Sequence, residues 1–357
     1  MPDPSGASTI AVHAGLPPAR DGEPFLPGPV FGAPLHCAGD LDGRQPLYGR
    51  YDNATWRRWE TAVAELEGGE VVSFASGMAA IAAVLLTELQ AGDVLVAPTD
   101  GYYTVRTLTE RLLGPRGVTT RLVPTDDVAI REALPGARLL WIESPSNPLL
   151  DVVDVEALTA VAHELGALVA VDNTLATPLR QRPLELGADL SVASATKQLT
   201  GHSDLLLGHV AVADPERARA LREHRTTTGG IPGPFEVWLA HRSLATLGVR
   251  VERQEATARA VCELLRERGD VLDVRWPGFG CVVSFDLGGA ARAKAFLAAC
   301  ELVAEATSFG GVHSSAERRA RWGGDAVAEG LVRLSVGIED TSDLVADVAS
   351  ALDSTRR

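Results

Sequence analysis

Short apolar runs alternate with amphipathic stretches through the first two-thirds of the chain. Runs at 94–98, 120–123, 138–143, 167–171, 188–195 and 205–212 are apolar along most of their length and read as strands. Between them, 103–113, 128–134 and 155–165 place apolar side chains every three or four residues, the spacing of a helix. Strands without a polar face, separated by helices, predict a mostly parallel sheet covered on both sides. Upstream, Trp59, Val63 and Leu66 predict a helix over 55–67 that Gly68 and Gly69 stop. A short apolar run at 71–75 and a strongly helical stretch at 79–89 follow. Downstream, 226–237 is a cluster of Thr, Gly and Pro that predicts a domain boundary. A long helix over 238–268, strands at 282–287 and 331–336, and helices at 291–299 and 342–352 predict a smaller α+β domain. The segment 314–325 is polar and basic and reads as a surface loop or a short helix. The first 45 residues are broken by Pro17, Pro18, Pro24, Pro27, Pro29 and Pro34, show no helix or strand period, and predict an extended arm. The expected organisation is therefore an arm at 1–45, a large α/β domain at 46–235 and a small domain at 236–357.

Composition narrows the class. An apolar content of 46% over 357 residues is that of an ordinary globular protein large enough for two domains. The formal charge of −14 argues against nucleic acid or an anionic membrane surface as a partner. No apolar run approaches the roughly 20 residues of a membrane span. Residues 1–5 lack the basic and apolar regions of a signal peptide. Cys37, Cys262, Cys281 and Cys300 lie far apart without metal-ligand spacing, so no metal site is expected and free thiols in a reducing cytoplasm fit best.

Candidate chemistry gathers where the predicted strands end, which is where ligands bind in open α/β sheets. Asp100, Asn147, Asp172 and Lys197 each follow a strand. Lys197 and Lys294 are the only lysines in the chain; every other basic side chain of this kind is arginine. Arginine stays protonated and forms no imine, whereas a buried lysine can. Lys197 thus reads as a Schiff-base lysine, or more simply as a strand-end lysine reaching solvent. Asp172 closes an apolar run, and a buried carboxylate needs a cation, such as a protonated heterocyclic nitrogen, unless it caps the following turn. Ser76, Gly77 and Met78 open a helix whose free N–H groups suit an anion, and Ser194 and Thr196 could join them around a phosphate. Arg333 sits inside an apolar strand and needs an anion there, either a substrate carboxylate or an internal Asp or Glu.

Taken together these segments resemble the cystathionine γ-lyase/γ-synthase group of pyridoxal-phosphate enzymes, the Cys/Met metabolism family. The likeness runs nearly end to end: TIAVHAG at 9–15, YGR at 48–50, NAT at 53–55 with Glu60, EGG at 67–69, SGM at 76–78 and ESPSNP at 143–148. VDNT at 171–174, SATK at 194–197, GHSD at 201–204, RSLATL at 242–247, SFGG at 308–311 and VRLSVGIED at 332–340 complete it. Many motifs in one order make the resemblance specific where each alone is modest.

The resemblance implies the pyridoxal-phosphate transferase fold of type I, a mostly parallel seven-stranded sheet with helices on both faces plus a smaller C-terminal α+β domain. It implies pyridoxal 5'-phosphate as cofactor, with Lys197 forming the Schiff base and then moving protons between substrate carbons. Asp172 would keep the pyridine nitrogen protonated, and Asn147 would lie near the ring oxygen. Ser76, Gly77, Met78, Ser194 and Thr196 would hold the phosphate, with Tyr48 and Arg50 joining from a neighbouring subunit of a homotetramer, a dimer of dimers with shared active sites. Tyr102 would stack on the ring and assist the leaving group, Tyr103 being the other choice. Ser308 and Arg333 would hold the substrate carboxylate. The histidine usual before the SATK serine is Ala193 here, the position where cystathionine γ-lyases often carry glutamate is Thr307, and the segment after Gly311 departs from the usual one. The implied reaction is γ-elimination on cystathionine or a related homoserine- or homocysteine-derived amino acid, giving thiol, 2-oxo acid and ammonia. The alternatives are γ-replacement of the cystathionine γ-synthase or acyl-homoserine sulfhydrylase type, and a non-catalytic binding protein on the same fold. A nicotinamide-dependent enzyme is not supported, because no GxGxxG follows the early strands.

Overall fold

The apolar runs assemble into one sheet because neither face of any of them can be left in water. The computed structural model describes residues 6–40 and 48–356; the expected boundary at 45–46 lies outside them, as do residues 1–5. Strands β1 (Glu70–Phe74), β2 (Val94–Pro98), β3 (Thr119–Val123), β4 (Leu139–Glu143), β5 (Leu168–Asp172), β6 (Leu190–Ala193) and β7 (Gly208–Val212) form a seven-stranded sheet in the order β1-β7-β6-β5-β4-β2-β3. The neighbours from β3 to β6 are parallel, and β7 runs antiparallel to both β1 and β6. Alternation within one strand shows how both faces are used. Leu139 and Trp141 of β4 enter a core with Leu85 and Leu221, whereas Leu140 and Ile142 enter another with Ile130 and Leu158. The expected fold, a mostly parallel seven-stranded sheet with helices on both faces and a smaller C-terminal α+β domain, is the one present.

The helix at 54–67 forms as its pattern predicts, and its ends have identifiable causes. In α2 (Ala54–Glu67) the Asn53 side chain accepts from Thr55 N at 2.8 Å, and Gly68 closes the helix at φ +83°. Its Trp56, Trp59, Val63 and Leu66 pack into a third core. That core also explains an element the pattern misses. Residues Ala7–His13 form helix α1 inside the stretch expected to be extended. Ala11, and Ala14 just after the helix, are buried in this same core, so tertiary packing stabilises a helix too short to form alone. Beyond α1 the described residues 14–40 form no helix or strand, and they are tied to the start of α2 by Val30 N to Thr55 Oγ1 (2.9 Å) and by Asn53 Nδ2 to Val30 O (2.9 Å).

Past the breaker cluster, Pro234–Leu244 and Leu247–Glu267 are two helices, where a single one over 238–268 is expected. The break is held by Arg250, a buried side chain that bonds Ser243 O at 3.0 Å. The same guanidinium reaches Gln198 O (2.6 Å) and Leu199 O (3.2 Å), fixing the turn that follows Lys197. The second sheet has the order β10-β11-β12-β9-β8, from β8 (Val274–Arg275), β9 (Val282–Asp286), β10 (Ala304–Glu305), β11 (Ser315–Arg318) and β12 (Leu331–Ser335). Val332 and Leu334 face its own core with Phe285 and Phe296, which leaves Arg333 on the opposite side of the strand. Residues 314–325, expected as a surface loop or short helix, are instead β11 and a 3-10 turn at Arg319–Trp322, with Glu317 and Arg319 buried. Their charges pair with one another in the interior, which a hydropathy pattern cannot register.

Gly201 is the tightest point of this framework. It adopts φ +66°, and a Cβ there would overlap the Arg250 guanidinium. Gly201→Ala is expected to cost roughly 1–2 kcal/mol from backbone conformation alone, and more from displacing Arg250. A lowered midpoint of thermal unfolding together with weakened cofactor retention is the predicted outcome. An unchanged midpoint contradicts it.

Candidate active site

Three strand ends and one helix start converge on a cavity of about 380 Å³. Glu143 closes β4, Asp172 closes β5, and Lys197 lies on the turn after β6. Helix α3 (Gly77–Glu88) begins at the same cavity, with the Ser76 hydroxyl accepting from Ala79 N at 3.1 Å. A Cβ at Gly77 would sit 2.6 Å from the Ser194 Cβ, so only glycine lets the helix start approach the strand this closely. Twelve of the fourteen residues expected in the site line this one cavity: Ser76, Gly77, Met78, Tyr102, Tyr103 and Asn147, then Asp172, Ser194, Thr196, Lys197, Ser308 and Arg333. Tyr48 and Arg50 do not. Tyr48 is exposed and Arg50 donates to Thr226 O at 2.9 Å.

Lys197 is held as an amine close to losing its charge. Its Nζ donates to Ser308 Oγ at 2.7 Å and lies 5.0 Å from the centre of the Phe309 ring. Burial first, and the nearby Arg333 guanidinium second, bring its pKa down to about 8. Ser308 meets it from a strained backbone, φ +82°, a conformation that a non-glycine residue keeps only when its surroundings impose it.

Two carboxyls face the cavity from adjacent, in-register strands, Glu143 beside Asp172. Asp172 accepts from Thr174 N at 3.0 Å. Burial raises its pKa, and the bonds from Thr174 only partly oppose that. Burial and the Asp172 charge push Glu143 well above the usual carboxylate range. Glu143 belongs to a recognised motif, yet no role for it follows from the sequence. Its Oε2 accepts from Tyr102 N at 2.7 Å, so it fixes the start of α4 (Tyr103–Leu108) and the two tyrosines there. The Tyr102 and Tyr103 rings meet edge to face at 5.4 Å.

Of the two partners foreseen for Arg333, the internal carboxylate is present. Arg333 donates to Glu317 Oε1 at 2.6 Å, the internal pair, and also to Asn147 Oδ1 (2.6 Å) and Ser308 O (3.0 Å). Its Nε is buried without a partner. Burial, with Arg319 close by, lowers its pKa to about 10. Asn147, expected near the cofactor ring, therefore also positions this guanidinium. Thr196, expected at the phosphate, has its hydroxyl closed on the Leu207 backbone, donating to O at 3.1 Å and accepting from N at 2.9 Å. Ala193 is buried in β6, and Thr307 donates to Glu317 at 3.3 Å.

Sequence reasoning missed Glu143, Phe309, Glu317, Arg319 and Trp322, all at or next to the cavity. Glu143 had a usable signal, since it ends an apolar strand as Asp172 does. Glu317 and Arg319 had none, because charged residues in a polar segment read as surface.

The buried carboxyl pair yields a pH test. Glu143 has a raised folded-state pKa, so the folded protein binds its proton more tightly than the unfolded chain, and folding is penalised once pH rises through that pKa. Glu143→Gln removes the penalty. Stability relative to the parent is expected to be near equal at pH 5 and to rise toward pH 9, by roughly 1–3 kcal/mol. A difference that shrinks with rising pH contradicts this; denaturant titration at several pH values measures it.

Comparison with known proteins places this geometry. Residues 38–353 match the family model described as Cys/Met metabolism PLP-dependent enzyme. A Streptomyces coelicolor relative named "Putative cystathionine gamma-lyase" is 56% identical, covering 98% of this chain and 94% of the relative. A Bacillus subtilis cystathionine gamma-lyase is 36% identical, covering 86% of this chain and 88% of the relative. The crystal structure of cystathionine gamma synthase from Xanthomonas oryzae pv. oryzae in complex with cystathionine superposes with a TM-score of 0.94 at 34% identity, over 99% of both chains. The chain belongs to the Cys/Met metabolism family of PLP-dependent enzymes.

Proposed function

We propose that the enzyme carries out γ-elimination on cystathionine or a related homoserine- or homocysteine-derived amino acid, releasing thiol, 2-oxo acid and ammonia. The observation that carries this reading is the single cavity holding an easily deprotonated Lys197 amine together with an Arg333 guanidinium that keeps one donor free. One group can take a proton from a substrate carbon while the other grips the carboxylate next to it. Orientation of this kind contributes much of the rate of such reactions.

The cavity suits pyridoxal phosphate. A helix N-terminus with a glycine cradle fits the phosphate, and a buried carboxylate, Asp172, fits a ring cation. When bound, the cofactor supplies an aldehyde that condenses with amines and a protonated ring that draws electrons from the substrate carbons. Ser76, the Gly77 and Met78 amides and Ser194 would hold the phosphate, Thr196 joining them only by releasing its hydroxyl from the Leu207 backbone, and Asp172 would keep the ring nitrogen protonated. Lys197 Nζ would take the Cα proton, with Ser308 holding the amine in place. Tyr102, its backbone pinned by Glu143, would stack on the ring and deliver a proton to the leaving group, with Tyr103 closing the mouth. Tyr48 and Arg50 would reach the phosphate of a second copy, which makes the working unit a dimer within a homotetramer. Four free cysteines support a cytoplasmic setting. No helix among the described residues is long and apolar enough to cross a membrane.

The same residues serve γ-replacement, in which a thiol adds at Cγ, and the likeness to a γ-synthase supports that second reading. Incubation of the purified holoenzyme with cystathionine, homocysteine and acylated homoserines, with ammonia and 2-oxobutyrate assayed, distinguishes the two. Stoichiometric 2-oxobutyrate and ammonia are expected. Thioether synthesis without 2-oxobutyrate would sink the elimination reading. Lys197→Arg keeps a positive charge and is expected to fold, yet to lose turnover by about 10²–10⁴-fold or more.

A further inference from the structure

Two buried carboxyls share the floor of the cavity, and the cofactor contacts assigned above employ only one of them. Glu143 ends β4 and Asp172 ends β5, opposite each other in register. Neighbouring strands lie about 4.8 Å apart, so the two side chains start as immediate neighbours. They belong to residues that are 5% and 8% exposed, and both line the cavity. Among the described residues, no arginine, lysine or histidine forms an ion pair with either. Lys197 and His209 act on Asp172 only from a distance, and Asp100, on the turn after β2, brings a further negative charge towards Glu143. All of these groups belong to one chain, so the arrangement does not wait on a neighbouring copy.

Close packing leaves Glu143 little room to recruit a cation. Its Oε2 accepts from Tyr102 N at 2.7 Å, and a Cβ at Gly101 would sit 2.8 Å from the same oxygen. The backbone N–H groups of Tyr102 and Asn147 favour an ionised Glu143, but burial and the Asp172 charge oppose them and prevail. One ring cation compensates one carboxylate. A second carboxylate beside it would remain a buried charge without a partner. A protonated carboxyl escapes that cost, and still offers an oxygen that accepts and a hydroxyl that donates. We propose that Glu143 stays neutral in the cofactor-loaded enzyme and acts as a positioning residue, accepting from Tyr102 N and donating a hydrogen bond to Asp172, which is left as the one ionised carboxyl of the pair for the ring nitrogen. This inference rests on the ring contacts given above to Asp172 and Tyr102, and it assigns the second acid a role they do not require.

Two variants and one spectrum test it. Glutamine reproduces the neutral form, with an oxygen for Tyr102 N and a donor for Asp172, whereas alanine removes both. Glu143→Gln is expected to bind pyridoxal phosphate within about threefold of wild type and to keep the sign and size of the cofactor's visible circular dichroism. Glu143→Ala is expected to bind it at least about tenfold more weakly, the size of a lost buried hydrogen bond, with a diminished dichroic band. Infrared spectra of the holoenzyme at neutral pH give a readout that a merely structural role would not move. The carbonyl band of a protonated carboxyl is expected in wild type and is expected to be missing from Glu143→Gln. A folded Glu143→Gln that loses affinity and dichroism as the alanine variant does overturns the proposal. So does a wild-type spectrum without that band, a result that needs no variant. Wild-type affinity and dichroism in both variants overturn it as well and leave the γ-chemistry untouched. A wild-type protein that binds no pyridoxal phosphate would sink the reading of the cavity together with this inference.

Discussion

A primary amine kept largely out of water, beside a guanidinium and against an aromatic ring, is the constraint on which the site depends. Lys197 meets Ser308, Phe309 and the field of Arg333 together; Arg333 lies on β12 of the second sheet, and the other two on the loop between its β10 and β11. The amine itself belongs to the first sheet. The chemistry therefore needs both sheets in register, and Arg250 supplies much of that, bonding the turn after Lys197 from a helix that continues into the smaller domain's core. Positive charge lowers the proton affinity of a neighbouring amine, and burial does so further. The same surroundings would be costly around a permanent cation.

The charges around the cavity are arranged asymmetrically. On the floor, Asp172 and Glu143 stand together with little compensation, and both hold protons more firmly than in water. At the wall, Glu317 accepts from Arg333, Arg319, Arg321 and Trp322, and these donors outweigh its burial to keep it ionised. An under-neutralised floor suits a ring that arrives carrying positive charge. The two ends of one pocket thus differ in charge balance.

Much of this was legible in the chain because the cues were covalent or periodic. Strands apolar on both faces can lie only in a covered sheet, and six of the seven were visible as separate segments, the remaining one as the short run at 71–75. Lys197 stood out because lysine is nearly absent elsewhere. Elements that depend on partners distant in sequence were not legible. Helix α1 packs into the core that Trp56 and Trp59 share with Ala11, and the break after Leu244 is held by Arg250. Most opaque was the wall at 314–325, whose Glu317 and Arg319 look like surface residues until their mutual pairing is seen. The unexpected substrate-mouth residues fall in that segment for the same reason.

Borohydride reduction of the holoenzyme, followed by peptide mass mapping, bears most directly on the role given to Lys197. A pyridoxyl mass on the peptide containing Lys197, and on no other, is the predicted result. Absence of the label, or its recovery on the peptide containing Lys294 or on the amino terminus, would contradict it.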